Sequence, residues 1–255
     1  AAAGFTLRAR PAADSHSPSA PHLTPHQGPK SLKTHTKVLP AALLGCLLIS
    51  PLQADDEADA KATVDLAHQS LERFLSHENL DWMRENIKTA NGLMLIPKMV
   101  TGGFIVGGSG GHAVLFSRDT QSGKWSGPAF FKSGGISVGL QAGGKVGEIL
   151  VLVRSEKALE SLMENVGKFS AAGSVTAGPA GEGASTNINA ELVTYGLSKG
   201  AFAGVSVGAM GSEIDEGRNS AYYGKAATPR DILLERNVSS PYSDAILATL
   251  AEASK

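Results

Sequence analysis

Few residues of this 255-residue chain are spaced for bond-making chemistry. Gly139, Gly144 and Lys145 come close to a phosphate-cradling loop, but Val146 stands where that loop needs a magnesium-binding hydroxyl. The surrounding sequence reads as strand, not as a strand feeding a helix, so a strand turn is the plainer reading. The glycines at 107–111 lack the dinucleotide spacing, and His112 and Ala113 occupy what would be its tail. There is no His-Glu-x-x-His and no cysteine pair, and the Gly-x-Ser-x-Gly spacings at 107–111, 135–139, 196–200 and 204–208 lie in strand-like sequence rather than at the strand-to-helix elbow a hydrolase needs. A hydrolase would have to assemble His112, Asp119 and Glu148 from distant positions, and His112 by itself reads as a polar loop residue. The expectation is a non-enzymatic protein with no cofactor and no metal.

What the sequence does concentrate is glycine. Fifteen of its 30 glycines lie between Gly92 and Gly147, separated by apolar residues of strand type. Paired glycines in strand-like sequence mark bulges, bends and places where another backbone comes close. Such a sheet must curl. The predicted fold is α+β: a curled, mostly antiparallel, barrel-like sheet of short strands with flanking helices.

The elements follow from periodicity. Apolar residues at Val64, Ala67, Leu71, Phe74 and Leu75 make one helical stripe, and Leu80 to Ile87 repeats the habit. Asn91-Gly92 reads as the stop of that second helix. Leu93–Ile96 reads as a buried strand that Pro97 ends. Phe104–Val106 and Ala113–Phe116 read as short strands around a glycine turn, and 129–131, 136–140 and 149–153 continue the pattern. Ser155 caps a helix over 156–164. Residues 173–185 read as a flexible segment, and 188–195 and 202–207 as the last strands. Thr228-Pro229 opens a short helix, and 241–253 is a closing one.

Residues 1–30 are rich in Ala, Pro, Ser and His without apolar periodicity and are expected to be disordered. Residues 31–54 resemble a secretory signal: lysines, an apolar run from Val38 to Ile49, then Ala54 before an acidic start. This implies export, to the periplasm or the outer membrane. Leu43-Leu44-Gly45-Cys46 leaves acylation of Cys46 as an alternative to cleavage after Ala54. Residues 55–255 then form a single domain. They hold 23 acidic and 18 basic residues, a net charge of −5, which argues against nucleic acid as a partner.

Four stretches carry a family resemblance. The first is Leu95-Ile96-Pro97 with Thr101-Gly102-Gly103-Phe104-Ile105-Val106-Gly107-Gly108, running on to Leu115. The second is Trp125-Ser126-Gly127-Pro128-Ala129-Phe130-Phe131 with Gly134 to Gly143. The third is Tyr195-Gly196-Leu197-Ser198-Lys199-Gly200-Ala201-Phe202, and the fourth is Asn219 with Tyr222-Tyr223-Gly224. Together, over roughly residues 61–235, they resemble the SYLF domain. That resemblance implies lipid binding, with phosphoinositides as the usual eukaryotic ligands, actin binding in some fungal members, and no enzymatic activity. The implied partners are membrane lipids and, in an exported member, envelope proteins. Lys98, Arg118, Lys132 and Lys199 stand near glycine-rich turns as candidate phosphate contacts. The stripe Val64, Leu71, Phe74 and Leu75 is the candidate membrane-contact helix, with ordinary packing on the sheet as its alternative. A structural or protein-interaction module without a specific lipid is the competing function.

Overall fold

The computed structural model describes residues 51–103, 106–138, 143–164, 167–168, 174–180, 188–198, 201–202 and 210–255. They belong to one compact unit, Leu47–Lys255. Cys46, Lys199 and the apolar run 38–49 lie outside the described residues. The helix α1, Pro51–Ser76, starts upstream of the expected cleavage point after Ala54.

Four long strands make the centre: β1 Gly92–Gly103, β2 Val106–Arg118, β3 Trp125–Val138 and β4 Gly143–Val153. Short strands follow: β5 Gly167–Lys168, β6 Val175–Ala177, β7 Leu192–Ser198, β8 Ala201–Phe202 and β9 Met210–Ile214. The order is β5-β9-β3-β2-β1-β4-β7-β6, with β8 on β7, and only β6–β7 is parallel. The sheet curls into an open half barrel, so the predicted α+β class and antiparallel character hold.

Several local expectations are corrected. Pro97 does not end a strand, because β1 runs through it. Between Ile96 and Met99, β1 holds one residue more than β4 does between Ile149 and Gly147, so Pro97-Lys98 is a bulge. Pro128 sits in the matching irregularity of β3, opposite Leu115–Ser117. A bulge is where an interior strand tolerates a residue that cannot donate to the ladder. The glycines at 107–111 are not a turn but part of β2, which runs on through the predicted strand Ala113–Phe116, while Phe104 and Ile105 lie outside the described residues. Asn91-Gly92 does not cap a helix. The Asn91 N–H already donates to the Val153 carbonyl, and a Cβ on Gly92 would lie 2.8 Å from the Phe116 carbonyl oxygen. The segment 173–185 contains β6, and β9 lies in sequence to which periodicity assigns no element.

The helices cover both faces of the sheet. Ala60, Val64, Ala67, Leu71 and Phe74 of α1 pack with α2 (Asp81–Ile87) onto Leu93, Leu95, Val114, Phe116, Phe130, Leu150 and Leu152. On the opposite face, α3 (Glu156–Glu164) and a short helix at Pro229–Leu233 cover Met94, Ile96, Leu115, Phe131, Ile149 and Val151. Alternate residues therefore feed different cores, and Leu93–Ile96 reads as a continuous apolar run because both faces are buried. Burying a side chain such as Leu71 or Phe74 contributes about 1.5–3 kcal/mol. The expected caps are present: Ser155 Oγ accepts from Ala158 N–H, and Thr228 with Asp231 forms a capping box ahead of Pro229. With the preceding helices numbered α1–α3, Glu216–Tyr223 is α4, Pro229–Leu233 is α5 and Asp244–Ala253 is α6.

Candidate functional site

The bulge at Pro97-Lys98 divides the central sheet. On one side lies the apolar part, covered on both faces. On the other lies its glycine-rich end, residues 99–103, 106–111, 133–138 and 143–147. Register places Val146, Val100, Gly110, Gly134 and Gly211 in one row across β4, β1, β2, β3 and β9. Directly opposed residues in antiparallel strands share a face, so Val100 and Val146 stand side by side next to three residues without side chains. The valines are 47% and 53% exposed.

Three glycines of this end, Gly102, Gly108 and Gly110, differ from the others. Gly127 has φ 133°, and a Cβ there would come within 2.8 Å of the Phe116 ring. A Cβ on Gly111 would lie 2.5 Å from the Lys98 carbonyl oxygen, and one on Gly178 2.0 Å from the Tyr195 ring. Packing explains those residues. Gly102, Gly108 and Gly110 are exposed, and a Cβ would meet no described atom closer than 4.0 Å. Among the described residues neither backbone conformation nor packing requires glycine there, and strand stability disfavours it. The remaining physical reason for glycine in a strand is close approach by something outside the fold.

A row of charge borders this end. His112 pairs in register with Lys132, and Lys132 with Glu213. Asp215, 4% exposed, is the N-cap of α4 and accepts from the Arg218 N–H and from Arg218 Nη1 at 2.9 Å. Arg218 Nη1 also donates to His112 Nδ1 at 2.6 Å, while Nη2 donates to Asp59 Oδ2 at 3.2 Å, tying α1 to α4. Burial pushes the Asp215 carboxyl up, but His112, Arg218 and Lys132 outweigh it and hold the group well below the usual carboxylate range. At the other end of α1, Ser70 and Arg73 donate to Glu148 on β4 at 2.8–3.0 Å. Asp119 caps its own turn through the Gln121 and Ser122 N–H groups and meets Arg236. His112, Asp119 and Glu148 are thus held in three separate polar contacts and share no site. Among the described residues no group of His, Cys, Asp and Glu is placed to hold a metal ion.

The expected site residues scatter. Lys98 is exposed at the bulge, and Lys132 is exposed with Nζ 3.9 Å from Asp215. Arg118 pairs with Trp125, whereas Lys132 pairs with His112, six residues farther along β2. That is about 20 Å at roughly 3.3 Å per strand residue, so Arg118 and Lys132 do not converge. The stripe proposed for membrane contact is corrected too. Val64, Leu71 and Phe74 are at most 2% exposed and Leu75 is only partly buried against the same core, because the sheet offers them an apolar face to cover. No helix among the described residues is long and apolar enough to cross a membrane. Asn219 has a structural role: its buried amide accepts from Phe130 N–H and donates to Phe130 C=O, extending the ladder past the end of β9.

Sequence reasoning missed Asp215 and Arg218, although an Asp ahead of Glu216 is an N-cap signal. It also missed Val100 and Val146, whose exposure follows from register rather than from composition.

Comparison with known proteins agrees with these features. A family model described as "Ysc84: Las17-binding protein actin regulator" matches residues 134–253. The chain is 34% identical over 174 residues to Protein YSC84 of Saccharomyces cerevisiae, covering 64% of this chain and 36% of that one. It is 32% identical over 174 residues to LAS seventeen-binding protein 3 of the same yeast, covering 64% and 37%. It is 30% identical over 127 residues to the human SH3 domain-containing YSC84-like protein 1, covering 48% and 36%. The chain spans little more than a third of the length of these relatives. The family match takes in Gly134–Gly135, the glycine-rich start of β4 and the Asn219–Gly224 helix end, and over these residues the chain is similar to the Ysc84 family.

Proposed function

We propose that this domain is a non-enzymatic lipid-binding module and that the glycine-rich end of the sheet is its binding face. The observation that carries the reading is the bare floor of Gly102, Gly108 and Gly110 beside the exposed Val100–Val146 pair. A floor without side chains lets an elongated apolar group lie against the backbone, and the valines give it a wall. The separate engagement of His112, Asp119 and Glu148 supports a role without bond-making. The lipid binding implied by the SYLF resemblance supports the choice of ligand, and export to a cell envelope would make envelope phospholipid the available source.

The test is flotation of the full chain with phospholipid vesicles, beside a Gly102→Ala/Gly108→Ala/Gly110→Ala variant. The wild type floats with vesicles; the variant floats less while its urea midpoint is unchanged or higher. Equal flotation of the two proteins sinks the assignment of the face. A protein partner is the second reading, favoured by relatives named for binding Las17. Capture of one stoichiometric envelope protein, with no flotation and the same sensitivity to the triple substitution, would select it.

A further inference from the structure

The proposed lipid-binding face has an unusual electrostatic character. Residues 99–103, 106–111, 133–138 and 143–147 contain no acidic residue and one basic residue, Lys145. The neighbouring charges are Lys98, exposed at the bulge, and the row that closes the apolar part. Arg218 is bonded to Asp215, Asp59 and His112, and Lys132 lies beside Asp215 and is paired in register with Glu213. Recognition of an anionic headgroup needs cations that converge on one phosphate. Arg118 is at the far end of the β2–β3 hairpin and cannot join Lys132 in such a site.

The backbone points the same way. Residues 100–103 of β1 are paired with β2 on one side and β4 on the other, and residues 107–110 of β2 with β1 and β3. Entry of these strands into a low-dielectric layer therefore leaves their N–H and C=O groups within the ladder, which removes the chief penalty for burying backbone in lipid. Val100 and Val146 supply apolar area on the same face, and Gly102, Gly108 and Gly110 set no side chain in the way.

Resting on the proposed lipid-binding role, we infer that this end of the sheet inserts into the interfacial layer of a bilayer as a wedge with no acidic group and a single cation, Lys145, making its contact with acyl chain and glycerol rather than with headgroup phosphate. Docking through apolar area is insensitive to screening, whereas docking through surface charge is lost as the Debye length shrinks. Binding is thus expected to zwitterionic vesicles as well as to anionic ones, and to survive salt.

The experiment uses the full chain with Val146→Cys in a Cys46→Ser background, labelled with an environment-sensitive fluorophore at position 146. Phosphatidylcholine vesicles, with and without phosphatidylglycerol, are compared at about 0.05 and 0.5 M salt, a range over which charge-driven docking is strongly screened. The expected result is a blue shift with both vesicles, less than about twofold change in affinity with salt, and at least a tenfold loss of flotation in unlabelled Val100→Asp/Val146→Asp, where charges meet the interfacial layer. Unchanged urea midpoints show that the aspartate variant is folded. Flotation with the anionic vesicles alone, released by high salt, overturns the wedge while leaving lipid binding intact. No flotation with any vesicle removes both. A blue shift without vesicles that rises with protein concentration overturns the wedge in favour of a second copy on the same face.

Discussion

The central strands change character at Pro97-Lys98. On one side, Leu93–Ile96, Ala113–Phe116, Ala129–Phe131 and Ile149–Val153 are buried on both faces, and every side chain has a neighbour that explains it. On the other, the same strands continue with Gly102, Gly108 and Gly110 beside two exposed valines, and no described atom accounts for those three glycines. Stability governs the first part. The second departs from what stability alone would select, as functional surfaces do. The bulge makes the change possible: one extra residue in β1 shifts its pairing while the strands run on.

Substitutions on the two sides should therefore have opposite consequences. Phe74→Ala, on the buried helix stripe, should cost about 3–5 kcal/mol in urea or guanidinium unfolding, because the cavity lies between α1 and the sheet. A loss below 1 kcal/mol would mean that α1 is not core. Asn219→Leu should cost less, about 1–3 kcal/mol for the Phe130 N–H left unpaired while its carbonyl keeps the Asp215 N–H, and should speed amide exchange at Phe130. Gly111→Ala and Gly110→Ala, adjacent in β2, are the sharpest pair. The first drives a Cβ against the Lys98 carbonyl and should cost about 1–3 kcal/mol. The second has open space and should be neutral or stabilising by about 0.5–1 kcal/mol. Equal effects at these neighbours would remove the distinction between packed and bare glycines.

The charged row between the two parts gives a pH signature of comparable or smaller size. The Asp215 carboxyl is depressed in the folded protein, so its contribution is complete above the ordinary carboxylate value of 3.8 and is lost as pH falls below it. The urea midpoint of the wild type should fall on acidification from about pH 5 to pH 2, and Asp215→Asn should lack that part of the fall while starting lower by about 1 kcal/mol. Identical acid profiles would show that the carboxylate does not stabilise the α4 cap.

Local chemistry was legible where a residue acts on its near neighbours. The helix stripe of α1, the Ser155 and Thr228 caps, the buried run Leu93–Ile96 and the curled antiparallel sheet all follow from spacing and from residue type, since each depends on contacts within a turn or on one face of one element. The family motifs were legible for the same reason, as fixed local patterns. Which glycines are packed and which are bare was not, because that depends on which strand lies opposite and on where the bulge shifts the register. Nor could sequence tell whether Val64, Leu71 and Phe74 face lipid or sheet, since an apolar stripe is the same chemistry in both places. Arg118 and Lys132 read as one basic set along the chain, yet antiparallel pairing leaves them six residue pairs apart along the β2–β3 hairpin. Tertiary structure alone decides such things, because they turn on distances between residues that the chain itself leaves unconnected.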